Sequence, residues 1–189
     1  MNQRLETPAA IRALDLDEVK AHLRIVGTDE DSHLERLMLA AEQWCEAETG
    51  RALCTQTWKF RLDCFPCGEI VVPHPPLQSI TAIQYVDTAG ATQTLAAPDY
   101  QVDIYTEPAR VASGYGLSWP ATREVYNAVT VTAVCGYLNA AAVPQKLKQA
   151  MLLVLAHLYE HREEVSDFQT FQVPKASEWL AAPYRVHVF

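Results

Sequence analysis

Residues 144–164, Pro-Gln-Lys-Leu-Lys-Gln-Ala-Met-Leu-Leu-Val-Leu-Ala-His-Leu-Tyr-Glu-His-Arg-Glu-Glu, constrain the fold more than any other stretch. Pro144 suits the first position of a helix: its missing N–H would have no intrahelical partner there, and its ring already fixes φ at a helical value. Leu147, Met151, Val154, Leu155 and Leu158 recur at helical spacing, while Ala150, Leu152, Leu153, Ala156 and Tyr159 fill most of the remaining circumference. A helix apolar nearly all round must be covered on several sides. The run is shorter than the roughly 20 apolar residues that cross a bilayer, so protein has to cover it. The rest of the chain is expected to pack around this central helix.

Two N-terminal helices are predicted as its partners. Asp15 followed by Glu18 reads as a capping-box-like start to a short helix with the stripe Leu16, Val19 and Leu23. A longer helix begins near Asp29, where Asp29, Glu30 and Asp31 complement the positive end of the helix dipole. Its stripe is Leu34, Leu37, Met38, Ala41, Trp44 and Cys45, and Gly50 ends it.

Between residues 51 and 136 the period changes to two. Trp58, Phe60 and Leu62 alternate with Lys59 and Arg61, and Val129, Val131 and Ala133 alternate with Thr130 and Thr132, which predicts two half-buried strands. Residues 70–72, 80–86, 92–95 and 100–104 are further strand candidates. Residues 87–90, Asp-Thr-Ala-Gly, predict a hairpin turn, and Pro73, Pro75 and Pro76 a break in the ladder.

The expected class is therefore α+β. A helical bundle, two N-terminal helices plus the long central C-terminal one, carries an inserted small antiparallel β sheet or barrel and an extended C-terminal arm. The expected boundaries are a mobile N-terminal arm at 1–13, a helical core at 14–53 and 137–165, the β unit at 54–136 and a C-terminal docking arm at 166–189. Trp179, Leu180, Tyr184, Val186 and Phe189 put too much apolar surface on that arm for a free tail, so they are the expected docking residues.

Composition narrows the function. The chain has 23 acids against 15 Lys and Arg, a net charge of -8, which disfavours a protein that grips nucleic acid but not one past which DNA slides. Residues 1–12 mix polar and small side chains without an apolar signal run, so a soluble chain made inside a cell is expected. The cysteine number, five, is odd and suits reduced thiols better than a disulfide framework.

Two clusters could hold metal. His157-Leu-Tyr-Glu160-His161 matches H-x-x-E-H, in which two His one turn apart bind zinc and the Glu is the base of a hydrolase. The competing reading places His157 inside a bundle and His161 at its wet end, helping the helix dipole. Cys54, Cys64, Cys67 and His74 could supply four zinc ligands, Cys64 and Cys67 at C-x2-C spacing, but no second such pair follows. Trp119-Pro120 with Tyr115 and Tyr126 is expected to form core within the β unit. No phosphate-binding glycine loop and no G-x-S-x-G elbow occurs, and nothing assembles into an active site.

Several stretches taken in order resemble one family: residues 19–25 (Val-Lys-Ala-His-Leu-Arg-Ile), 48–53 (Glu-Thr-Gly-Arg-Ala-Leu), 55–58 (Thr-Gln-Thr-Trp), 75–80 (Pro-Pro-Leu-Gln-Ser-Ile), 85–87 (Tyr-Val-Asp), 118–120 (Ser-Trp-Pro), Gly136-Tyr137, Val143-Pro144 and 157–162 (His-Leu-Tyr-Glu-His-Arg). Over about residues 14–165 the chain resembles the head-tail connector, or adaptor, proteins of tailed bacteriophages and prophages, in the longer subfamily with a β insertion. The resemblance implies no catalytic residues and no cofactor. It implies a ring of about twelve subunits beneath the portal, joined to a stopper or tail-terminator protein, with packaged double-stranded DNA passing through. The apolar C-terminal residues would then dock onto the portal or a neighbouring subunit.

Overall fold

The computed structural model describes residues 1–161 and 175–186. Four helices occur among them: α1 (Leu16–Leu23), α2 (Asp31–Thr49), α3 (Gln145–Glu160) and α4 (Lys175–Ala181). Asp15 caps α1 by accepting the Asp17 N–H at 3.2 Å, so the cap is a local Asp turn and not a reciprocal box with Glu18. Gly50 ends α2 as expected, at φ 69°, with its N–H on the Glu46 carbonyl. Pro144 is the cap of α3 and not its first helical residue.

The central helix is enclosed as its pattern predicts. Leu147, Ala150, Met151, Leu152, Val154 and Leu155 of α3 are buried, which accounts for more than one face. All of these but Ala150 share a core with Val19, Leu34, Met38, Ala41, Cys45 and Ala181 from the other three helices. Each fully buried aliphatic side chain there contributes about 1.5–3 kcal/mol relative to exposure.

Eight strands form two antiparallel sheets: β1 (Asn2–Thr7), β2 (Gln56–Leu62), β3 (Ile70–Val72), β4 (Leu77–Val86), β5 (Thr92–Thr94), β6 (Tyr100–Asp103), β7 (Ala109–Ser113) and β8 (Val129–Cys135). One sheet runs β1-β2-β8-β4-β5 and the other β3-β7-β6. Phe60, Ile83, Val129, Val131 and Ala133 of the first pack with Ile70, Val72, Ala109 and Val111 of the second in a separate apolar core. The choice between sheet and barrel thus resolves to two open, stacked sheets. The turn at residues 87–90 forms, with the Asp87 N–H on the Ala91 carbonyl at 2.9 Å.

Residues 1–13, expected as a mobile arm, contain β1. It pairs antiparallel with β2, Arg4 opposite Lys59 and Asn2 opposite Arg61. All six of its residues are exposed. Main-chain pairing and a few polar side-chain contacts recruit it, which is why no hydrophobic period announced it. Strand β7 also went unread, because Pro108 and Gly114 bracket a segment whose apolar residues are mostly small.

The two cores meet at residues 51–54. Ala52 faces the sheet core, while Leu53 and Cys54 face the helical one. Gly136 closes the seam at φ 103°, and a Cβ there would lie 2.1 Å from the Cys54 carbonyl oxygen. The Gln78 side chain donates to Thr55 Oγ1 and to the Gly136 carbonyl, both at 2.8 Å. Glu46 of α2 accepts the Leu53 N–H at 3.0 Å and the Gln56 side chain at 2.7 Å. Burial raises the Glu46 carboxyl pKa, and these two bonds oppose the rise. No helix among the described residues is long and apolar enough to cross a membrane.

Candidate assembly surfaces

The C-terminal segment is built from small residues first. Ser177 and Ala181, four apart on α4, are both fully buried, giving α4 a flat face that sits on α3. Beyond the helix, the Val186 N–H donates to the Thr49 carbonyl at 2.8 Å. Arg185 forms an ion pair with Glu48. Arg51 gathers three regions: its Nε donates to the Tyr184 carbonyl at 2.6 Å, its plane lies 5.9 Å from the Tyr184 ring centroid, and its other end pairs with Glu107 of the β6–β7 loop. Burial works against the Arg51 charge, and the Glu107 carboxylate more than offsets it, so the guanidinium pKa is raised.

The expected docking residues are therefore divided. Tyr184 packs against the helical core and Val186 is half-buried near Gly50, both on their own domain. Leu180 is half-buried, and Trp179 is 74% exposed. Phe189 lies outside the described residues. Residues 175–186 are a short helix and turn wedged onto the core, which revises the expectation of an extended arm there. Trp179 alone among the described candidates presents a largely free apolar surface.

Exposed aromatic rings also occur on separate loops of the β unit, Tyr105 in the β6–β7 turn and Tyr115 and Tyr126 between β7 and β8. Tyr105, Tyr115 and Tyr126 are 96%, 98% and 89% exposed. The expectation that Tyr115 and Tyr126 belong to the β core is corrected; only Trp119 does so, stacking on Phe65 at 4.8 Å with its Nε1 donating to the Gly68 carbonyl at 2.8 Å. An open groove beside this stack is lined by Cys64, Phe65, Cys67, Leu117, Trp119 and Thr122.

Among the described residues, neither candidate set brings three metal ligands together. The His157 and His161 rings lie 4.5 Å apart, and His161 Nδ1 sits 3.1 Å from the His157 carbonyl oxygen. No group of three or more His, Cys, Asp or Glu that could hold a metal occurs among the described residues. Cys54 is buried at the seam, Cys64 and Cys67 are exposed, and His74 stacks on Trp58 at 4.1 Å with Nε2 on Gln3 Oε1 at 3.0 Å. Burial pushes the Cys45 and Cys135 thiols up to about 12 and Cys54 to about 11, so these three pack as neutral thiols.

Residues 13–88, which span α1, α2 and β2 to β4, match the family model for the phage gp6-like head-tail connector protein. That stretch is similar to the head-tail connector family. No curated protein matches the chain. Among solved structures, the chain is similar in fold to a chain in the virion of a native gene transfer agent particle, at 23% identity and a TM-score of 0.81, covering 100% of this chain and 97% of that one. It is similar with the same identity and coverage to chains in the neck of the empty particle computed with C6 symmetry, TM-score 0.81, and in the neck of the native particle computed with C12 symmetry, TM-score 0.78.

Proposed function

We propose that this protein is a structural, non-catalytic subunit of the neck of a phage or phage-like particle: a head-tail connector, or adaptor. The whole-chain likeness to chains of gene transfer agent particles, neck chains among them, carries the reading, and the family match at residues 13–88 supports it. In this reading the helical core at 14–53 and 137–165 carries the β unit at 54–136 as a lateral insertion. Copies associate into a ring of about twelve through heterologous contacts, in which one face of a subunit meets a different face of the next. The ring assembles in the bacterial cytoplasm, sits beneath the portal, joins it to a stopper or tail-terminator protein, and lets double-stranded DNA pass during packaging and ejection. Trp179, with the exposed tyrosines of the β unit, is the candidate contact to the portal or a neighbour.

Mixing the purified chain with the portal of its own particle and weighing the product by native mass spectrometry tests this. A portal complex holding a fixed multiple of this subunit is expected. Portal and chain running separately at micromolar concentration would contradict it.

A further inference from the structure

One face of the five-stranded sheet packs on the second sheet, and the residues of the opposite face are exposed or half-buried. Strand alternation places Arg4, Lys59 and Arg61 on this open face, with Arg4 opposite Lys59 on the neighbouring strand. Lys59 and Arg61, two residues apart, are spaced by about 7 Å along their strand. Lys59 forms an ion pair with Glu6 at 2.9 Å, whereas Arg4 and Arg61 have no ion-pair partner among the described residues. The nearby Asp63 is engaged by the Asn127 N–H at 2.7 Å. Thr130, Thr132 and Gln84 extend the face without adding charge. A chain of net charge -8 therefore gathers three cations against Glu6 on one polar strip. Their field is felt locally: the hydrogen bond from Lys59, with further help from Arg4 and Arg61, holds the Glu6 carboxyl below its ordinary range.

We infer that this open sheet face is the surface turned toward the phosphate backbone of the passing duplex, an assignment that rests on the connector reading. The chemistry fits transit. Two unpaired guanidinium groups per subunit make sequence-independent phosphate contacts, the threonines offer hydroxyls and no stacking platform, and the acidic remainder of the surface keeps the duplex from settling elsewhere.

Binding of a fluorescent duplex of about 30 base pairs to the full-length chain, alone and assembled on its portal, tests the face over a range of salt concentrations. The R4Q/R61Q variant is expected to lose roughly tenfold or more in affinity at low salt, and its slope of log K against log salt should flatten by about 1.8 for each bound subunit. R24Q/R36Q, which removes two exposed cations, one just past α1 and one on α2, should change neither. Equal slopes for wild type and R4Q/R61Q would overturn the inference, as would loss of subunit association in that variant with its DNA slope intact, which would make the face a contact between copies. Formation of the portal complex, read in parallel by mass, reports on the connector reading separately. A complex that forms with an unchanged slope sinks the face assignment alone, and a complex that never forms sinks both.

Discussion

Residues 2–7 and residues 175–186 both join the fold from the outside, yet they are held by opposite means. Strand β1 buries none of its six residues and is held by main-chain pairing to β2 and by Lys59 on Glu6. The C-terminal segment buries Ser177 and Ala181 completely and is fastened by Arg51, Thr49 and Glu48. The first attachment costs little to open locally, because few apolar contacts are lost. The second shares its core with the central helix, so it can leave only by exposing that helix. Under the proposed connector role this difference would separate two tasks: an edge strand that a neighbour could extend, and a wedge that fixes how Trp179 is presented.

The largest test of the contrast acts on the platform beneath α4. Leu155→Asp places an unpaired charge where the helix is fully enclosed, and loss of at least about 3–5 kcal/mol should leave the protein insoluble or unfolded in circular dichroism. A soluble, cooperatively melting variant would show that α3 is not central. Ala181→Glu should cost somewhat less, about 2–4 kcal/mol, and should make the C-terminal segment sensitive to brief proteolysis while β1 keeps its pairing. Simultaneous loss of both ends would mean they are coupled after all.

Arg51→Gln removes the shared donor of Tyr184 and Glu107. It should lower stability by about 1–3 kcal/mol, seen as a reduced melting temperature, and shift the NMR signals of residues 182–186 but not those of 2–7. The smallest effect concerns Glu6. Its folded pKa is lowered, so its contribution is present above the unfolded value and is lost as pH falls through the folded one. Cross-strand NMR contacts between β1 and β2 should therefore weaken on acidification below the ordinary carboxylate range. In Glu6→Gln they should no longer respond to pH, and an identical titration in wild type and variant would remove Lys59–Glu6 from the account.

Much of this fold could be read in advance wherever burial imposes a period. The all-round apolar α3, the stripe of α2 up to Gly50, and the alternation in β2 and β8 each state their environment in residue types. Strand β1 could not be read that way, since a fully exposed edge strand is selected by its neighbour's free hydrogen-bonding groups. The seating of α4 was equally silent, because Ser177 and Ala181 act by being small, and Arg51 fastens the segment through a carbonyl far along the chain. The apolar residues of that segment were noticed, but hydrophobicity cannot say whether Tyr184 will meet its own core or a partner. Tyr115 and Tyr126 erred the other way, with aromatic rings placed on loop tips and not inside. The cation strip required strand register, because Arg4 and Arg61 are distant in sequence and neighbours only through pairing.

Electron cryomicroscopy of the neck of the particle that carries this protein would locate the subunit outright. A closed ring of subunits with this fold is expected between the portal and the first tail component, with Arg4 and Arg61 on the wall facing the DNA. A neck in which that layer is built from another protein, or in which this chain is missing, would contradict it.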